Sequence, residues 1–295
     1  MTAPPSPDAL RLTNGVVDVR IPRTYGPRIT HFGFADGPNV LGDGAGVERV
    51  TPRGTWRAYG GHRLWAAPEV FPDTYTIDDA PPEIETFERR AVVRRARDPA
   101  TGLIASMDVE LEPGGTRVTV RHAIANDGPS ARRLAPWAIT VAAPGGTAVI
   151  PQPRFAPQPE ALLPARTMAL WRYTDLSDAR FAFGTAFLRL RCDPSSPQPN
   201  KIGVACERGW FAYLSGRTAF VIESAYDEAG EYPDRGCSVE VYTQGPFCEV
   251  ETLAPLVTLP PGGVARHVER WSLVGDVDAV DDGTLDRVLG KHLGE

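Results

Sequence analysis

Apolar and polar residues alternate along much of the chain with a period of two. Such alternation is typical of strands with one buried face and one solvated face. It is clearest in residues 107–112, 118–124 and 239–242. Other stretches are apolar almost throughout and indicate strands that are buried on both faces. These are residues 137–141, 210–214 and 219–222.

Turn-forming residues separate these stretches. The chain has 29 glycines and 29 prolines, and clusters of both lie at residues 112–115, 144–146 and 260–263. Many short strands joined by regular turns predict an all-β fold, here a large antiparallel β-sandwich over residues 9–275. The Pro-rich residues 144–164 are expected to form a long surface loop that could border a site.

The two ends of the chain depart from the strand pattern. Leu285, Val288, Leu289 and Leu293 recur at helical spacing, so a short amphipathic helix is expected within the C-terminal tail, residues 276–295. Residues 1–8 are polar and Pro-rich, and we expect them to be a disordered tail. Neither a signal peptide nor a membrane-spanning run is evident, which favours a cytoplasmic protein.

Charge and cysteine content narrow the possible partners. The net charge is -6, and no basic run exceeds two adjacent arginines. This composition argues against nucleic acid or an anionic membrane as the main partner. The four cysteines form no Cys-x-x-Cys pair, so no metal site is expected. The chain also has no P-loop and no Gly-x-Gly-x-x-Gly motif that opens a helix, so no cofactor is expected.

Lysine is rare in this chain. Of 31 basic residues only Lys201 and Lys291 are lysines. A lysine retained where arginine is favoured indicates a need for a compact ammonium group. Lys291 lies in the polar tail, whereas Lys201 precedes an apolar run and is a candidate binding residue.

Residues 59–69 concentrate groups that suit a small polyhydroxylated ligand. Two glycines are followed by His62, Arg63, Trp65 and Glu69. Glycine lets the backbone approach a ligand closely, and histidine can exchange a proton near neutral pH. The alternative is that Trp65 belongs to the core and that His62 is a structural histidine.

Several blocks along nearly the whole chain resemble galactose mutarotase-like (aldose 1-epimerase-like) proteins, and within them a DUF4380-like branch. The blocks are residues 25–34, 39–41, 59–65, 126–128, 135–137, 201–203, 207–210, 232–236 and 249–255. The resemblance implies a mutarotase-type sandwich. One fold of this kind hosts epimerases, lyase and hydrolase domains and binding modules, so it specifies activity much less closely.

The resemblance also implies a mechanism. In aldose 1-epimerases a late glutamate removes the anomeric hydroxyl proton and a histidine protonates the ring oxygen. Here it implies Glu251 as the base and His62 as the acid. Glu249 would lie on the same strand face as Glu251. The substrate, a small saccharide, would be bound by Arg63, Trp65, Glu69, Lys201, Trp210 and Glu249.

The chain departs from the epimerase pattern at the second histidine. Epimerases have one in a mid-chain Asn-His motif, where this chain has Asn126-Asp127-Gly128. His122 lies nearby on an apolar strand face and is interpreted as structural. Two alternatives to an isomerase therefore stay open: a carbohydrate-binding protein without catalysis, and a structural or interaction protein.

Overall fold

The computed structural model describes residues 8–277 and 281–294. Nearly all regular structure in them is β. In chain order the strands are β1 (Ala9–Thr13), β2 (Val17–Pro22), β3 (His31–Phe34), β4 (Glu48–Thr51), β5 (Gly54–Arg57), β6 (His62–Ala67), β7 (Glu83–Thr86), β8 (Arg90–Arg94), β9 (Leu103–Leu111), β10 (Val118–Asn126), β11 (Arg132–Val141), β12 (Thr147–Pro151), β13 (Met168–Leu170), β14 (Phe181–Phe183), β15 (Phe187–Arg191), β16 (Asn200–Val204), β17 (Trp210–Ser215), β18 (Thr218–Glu223), β19 (Val239–Gln244), β20 (Phe247–Leu253), β21 (Val257–Leu259) and β22 (Val264–Val274). The helical segments are α1 (Pro233–Gly236) and α2 (Asp282–Leu293). The tail expected over residues 1–8 lies almost wholly outside the described residues.

Two large antiparallel sheets form a sandwich, as the alternating pattern predicts. Ten strands are ordered β14-β15-β12-β17-β18-β22-β10-β9-β8-β7, and seven strands form β13-β16-β19-β20-β11-β21 with β6 paired to β11. Apolar side chains of both sheets meet in one core, where Val241 and Val250 of the smaller sheet join Phe220 and Trp271 of the larger. The prediction of an all-β antiparallel sandwich is confirmed.

The smaller sheet is buried on both faces in its central strands. Its second face carries an aromatic cluster that includes Trp65, Trp137 and Phe247. Because successive side chains of a strand point to opposite faces, each central strand contributes alternately to the core and to this second face. The cavity described below lies on that second face.

The C-terminal helix packs on the larger sheet and belongs to a different apolar cluster from the aromatic one. The Asp281 side chain accepts a hydrogen bond from the backbone N–H of Thr284 and caps the start of α2. Leu285 and Leu289 are buried against Trp210 and Phe187. The predicted short helix is confirmed. No helix among the described residues is long and apolar enough to cross a membrane.

The Pro-rich segment is only partly a loop. Thr147–Pro151 pairs with two neighbouring strands as β12, whereas residues 152–167 contain no strand. The expected surface loop is therefore shorter than residues 144–164. It is not part of the wall of the cavity described next.

Candidate functional site

A cavity of about 450 Å³ opens on the second face of the seven-stranded sheet. Its volume falls in the range of sites that hold small organic ligands. Eight aromatic residues line it: Trp56, Trp65, Tyr75, Trp137, Trp171, Tyr173, Tyr242 and Phe247. Six charged residues do so as well: Glu48, Arg49, Arg63, Glu69, Lys201 and Glu249. Four of the chain's six tryptophans are therefore at one site.

Strand register brings the charged groups together. Arg63 of β6 pairs with Ile139 of β11, which in turn pairs with Glu251 of β20. Glu251 pairs with Glu240 of β19. Residues in register across antiparallel strands project from the same face. Glu249, two positions from Glu251, projects from that face too.

Lys201 is the buried cation at the base of the cavity. Its Nζ lies 2.6 Å from Glu240 Oε2 and 3.0 Å from Glu251 Oε2. It also stands over the rings of Trp137 and Trp171, 4.9 and 4.6 Å from their centroids. The two carboxylates outweigh desolvation and hold the pKa of Lys201 well above its ordinary value.

Arg63 forms the second cation of the wall. Its Nη2 donates to Glu249 Oε1 at 2.6 Å, and its guanidinium lies 4.4 Å from the Trp65 ring centroid. Burial raises the pKa of Glu249, Arg63 opposes that rise, and the nearby Glu251 adds to it. Glu249 is thus a carboxyl in the cavity wall that holds its proton more tightly than an exposed glutamate does.

The charged groups in and behind the wall include more carboxyls than cations. Glu240, Glu249 and Glu251 face two cations, Lys201 and Arg63. Burial and the neighbouring carboxylates raise the pKa of Glu240 well above its ordinary value, against the pull of Lys201. Because an unpaired buried charge is costly, this surplus of carboxyls favours the neutral form of Glu240 more strongly than that of an exposed glutamate.

The wall also contains buried donors that have no protein partner. They are the indole N–H groups of Trp56 and Trp65 and two guanidinium nitrogens of Arg63, Nε and Nη1. Unpaired buried donors are uncommon in folded proteins and call for a ligand, water or ion as partner.

Glu69 belongs to a polar group at the rim of the cavity. It accepts a hydrogen bond from the Tyr75 hydroxyl, which also accepts one from Arg49 Nη1. Burial and the neighbouring Glu69 raise the pKa of Tyr75. The expected binding residues Arg63, Trp65, Glu69, Lys201 and Glu249 thus all line one cavity.

His62 does not lie in this cavity. It precedes Arg63 on β6 and therefore points to the opposite face, into the core, where it is fully buried. Burial first, and the nearby Arg28 and Arg63, lower its pKa well below the ordinary value. The expected arrangement, with His62 and Glu251 on two sides of one ligand, is corrected by the structure.

Two other expected residues lie away from the cavity surface. Trp210 is buried against α2 on the larger sheet and has no part in the cavity wall. Glu251 is on the correct strand face but is covered, since it accepts hydrogen bonds from Lys201 Nζ and from Trp137 Nε1. It supports the cavity from below rather than lining it.

Sequence reasoning did not identify several residues of the wall. They include Trp137, Tyr173 and Tyr242, which come from separate strands and loops that the fold brings together. Sequence reasoning also missed Glu240, which is buried behind the wall and faces Lys201. An available signal was Tyr242 on β19, since a large aromatic residue alternates there with valines on the other face. Trp56 and Arg49 lie on the β4–β5 hairpin, for which the sequence has no strong pattern.

Comparison by sequence identifies no family for this chain. No protein-family model matches the chain, and no curated protein matches it in sequence. The resemblance to a DUF4380-like branch therefore stays a prediction.

Solved structures match over most of the chain. A galactose mutarotase-like protein from Lactobacillus casei has 12% identity and a TM-score of 0.58, with 90% of this chain and 100% of that chain covered. A candidate aldose 1-epimerase from Escherichia coli K12 has 12% identity and a TM-score of 0.56, with 90% and 99% covered. A TPR-domain containing protein from Parabacteroides distasonis has 15% identity and a TM-score of 0.61, with 92% and 48% covered.

At sequence identities this low, the similarity is one of backbone fold and not of site residues. The third match shows that the same architecture also occurs as about half of a longer chain. The architecture therefore does not specify the activity, which depends on the residues of the cavity. The large sandwich of this chain has the galactose mutarotase-like fold.

Proposed function

We propose that the cavity binds a small saccharide and that the protein is a mutarotase-type isomerase. The observation that supports this most directly is the cavity wall, in which eight aromatic rings surround Arg63, Lys201 and Glu249. Ring faces pack against the C–H surface of a sugar, while charged groups hydrogen-bond its hydroxyls. The volume of about 450 Å³ suits a ligand of this size.

Glu249 is the group best placed to exchange a proton with the sugar. It lines the cavity, and its raised pKa makes it a stronger base once ionised than an exposed glutamate. Glu251, the base expected from the sequence, is held by Lys201 and Trp137 beneath the wall. Within this proposal Glu249 takes the anomeric hydroxyl proton as the ring C–O bond breaks, water in the open cavity supplies the proton that the ring oxygen takes up, and Glu251 positions Lys201.

A second candidate function is saccharide binding without turnover. Among the described residues no histidine lines the cavity, so the acid of an aldose 1-epimerase has no counterpart of the same type. A protein that kept the aromatic wall but lost this acid would bind a sugar and release it unchanged.

One experiment separates the two functions. The purified protein is added to a panel of aldoses and sugar acids, and exchange NMR follows both line broadening on binding and the rate of anomer interconversion. Saturable binding with faster interconversion supports the isomerase. Saturable binding with anomer interconversion at the uncatalysed rate supports the binding protein. Absence of both binding and acceleration with every saccharide tested would contradict both functions.

The cellular setting of this proposal is the cytoplasm. The four cysteines are free and buried. Free thiols of this kind suit a reducing compartment. The proposed partner is a small-molecule saccharide, and the proposal involves neither nucleic acid nor a membrane.

A further inference from the structure

A buried polar cluster lies between the two sheets, behind the cavity. It contains His62 of β6, His122 of β10 and Glu269 of β22, which are all fully or almost fully buried. One imidazole nitrogen from each histidine and one carboxylate oxygen lie within 4.8 Å of one another. The three residues come from both sheets, so the cluster links the two halves of the sandwich.

The ligand atoms point at each other. His62 Nε2 lies 2.7 Å from His122 Nε2 and 3.8 Å from Glu269 Oε2. Nitrogens bound at about 2.0–2.1 Å to a tetrahedral zinc ion stand about 3.3–3.4 Å apart, so a shift of a few tenths of an ångström in each ring would admit one. Two imidazoles and a carboxylate are a frequent ligand set for divalent transition metals.

Neighbouring side chains hold two of these ligands in place. His62 Nδ1 is 2.9 Å from Thr140 Oγ1, which leaves Nε2 directed at the cluster. Glu269 accepts hydrogen bonds from Thr252 Oγ1 at 2.5 Å and from Trp271 Nε1 at 2.8 Å. Partners of this kind orient metal ligands in known sites and fix the histidine tautomer.

Without a metal ion, the two imidazole rings would have to share a proton in a hydrogen bond. One imidazole would have to carry its proton on Nε2 and donate it to the other ring at 2.7 Å. The Glu269 carboxylate would then keep its hydrogen bonds from Thr252 and Trp271, with His62 Nε2 no closer than 3.8 Å. A divalent ion would satisfy both nitrogens and the carboxylate at once.

We propose that His62, His122 and Glu269 bind a divalent transition-metal ion of the zinc type, which joins the two sheets from inside the core. Nitrogen ligands favour such an ion over calcium or magnesium, which prefer oxygen. The three side chains would supply three of the ligands of the ion. Sequence spacing does not indicate this site, because its ligands lie on three strands far apart in the chain.

The proposed site is independent of the saccharide cavity. His62 and Arg63 are adjacent, but their side chains leave β6 on opposite faces. The ion would be enclosed during folding, because its ligands are inaccessible in the folded protein. Its predicted role is therefore stabilisation rather than proton chemistry on the sugar.

The test measures metal in the full-length protein. We expect elemental analysis of the purified protein to find about one transition-metal ion per chain. Protein refolded with a chelator should have a lower Tm, and refolding with Zn²⁺ or Co²⁺ should restore it. Protein without bound metal, with the same Tm after refolding with or without each ion, would overturn the proposal.

Two histidine variants assign the ligands. His122→Asn removes a proposed ligand, whereas His31→Asn removes a histidine of β3 that lies outside the trio. His122→Asn should lower metal content at least tenfold, and His31→Asn should retain it. Equal retention or equal loss in both variants would contradict the assignment. If His122→Asn does not fold, the measurements on the unsubstituted protein still decide the proposal.

Discussion

At the level of single residues, one lysine organises the base of the cavity. Lys201 contacts two buried carboxylates and two indole rings, and few other side chains could do both in the same space. The sequence singled out Lys201, because 29 of the 31 basic residues are arginines. It could not reveal Glu240 as a partner, since that contact depends on the register of β16 with β19.

Removal of the Lys201 charge should destabilise the protein strongly. Lys201→Met would leave Glu240 and Glu251 buried without their cation, which should cost about 3–5 kcal/mol in free energy of unfolding. Lys291→Met is the matched control, because this second lysine is exposed on α2 and its loss should cost less than about 0.5 kcal/mol. Urea unfolding of both variants near pH 7 measures the difference, and similar midpoints would contradict the structural role of Lys201.

The two glutamates of β20 should differ in their effect on turnover. Glu249→Gln removes the proposed base and should slow anomer interconversion by about 10²–10⁴-fold, while the amide still accepts a hydrogen bond from the sugar. Glu251→Gln should mainly reduce stability, because Glu251 contacts Lys201 and Trp137 rather than the cavity. Exchange NMR gives the rate and titration gives the affinity; a larger loss of rate in Glu251→Gln would reverse the assignment.

The pH profile should report the environment of Glu249. Its proton must leave before it can act as a base, and burial with the nearby Glu251 raises its pKa, while Arg63 and Lys201 oppose the rise. The Tyr242 hydroxyl also faces it and stays neutral, because burial raises its pKa to about 12. Turnover should therefore increase with pH through a pKa above the ordinary glutamate range. A rate that is already constant from pH 5 upward would exclude Glu249 as this base.

At the level of elements, β6 shows why the sequence placed only part of the site. Its residues are buried on both faces, so hydrophobicity does not distinguish the side of the core from that of the cavity. Arg63 and Trp65 are two positions apart and share the cavity face, whereas His62 lies between the sheets. Neighbours in the chain do not share a site here, because successive side chains of a strand point to opposite faces.

The β4–β5 hairpin should contribute to affinity through one face only. Trp56 lines the cavity 5.3 Å from the Trp65 ring centroid, whereas Val50 on the same hairpin is 80% exposed. Trp56→Ala should weaken saccharide binding by about 10–150-fold, the equivalent of about 1.5–3 kcal/mol for one large apolar contact. Val50→Ala should leave the affinity unchanged, and calorimetric titration of both variants measures the difference. If Trp56→Ala also left the affinity unchanged, the hairpin would lie outside the site.

At the level of the whole molecule, the core that stabilises the sandwich and the cavity lie on opposite faces of the smaller sheet. The period-two pattern predicted the architecture because each long strand, such as β9 and β10, has to bury one face against the other sheet. The cavity was less predictable, because it lies on the far face of the smaller sheet and is assembled from strands distant in sequence. The opposite outer surface, on the larger sheet, carries α2.

A core substitution under α2 should therefore reduce stability without affecting the cavity. Leu289 is fully buried beside Trp210 and Phe187, so Leu289→Ala should cost about 2–5 kcal/mol in free energy of unfolding. The cavity is formed by other strands on the other sheet, and its shape does not depend on this packing. Saccharide affinity, measured well below the lowered Tm, should match that of the unsubstituted protein. A parallel loss of affinity would show that the two outer faces of the sandwich are coupled, and that α2 helps to form the binding site.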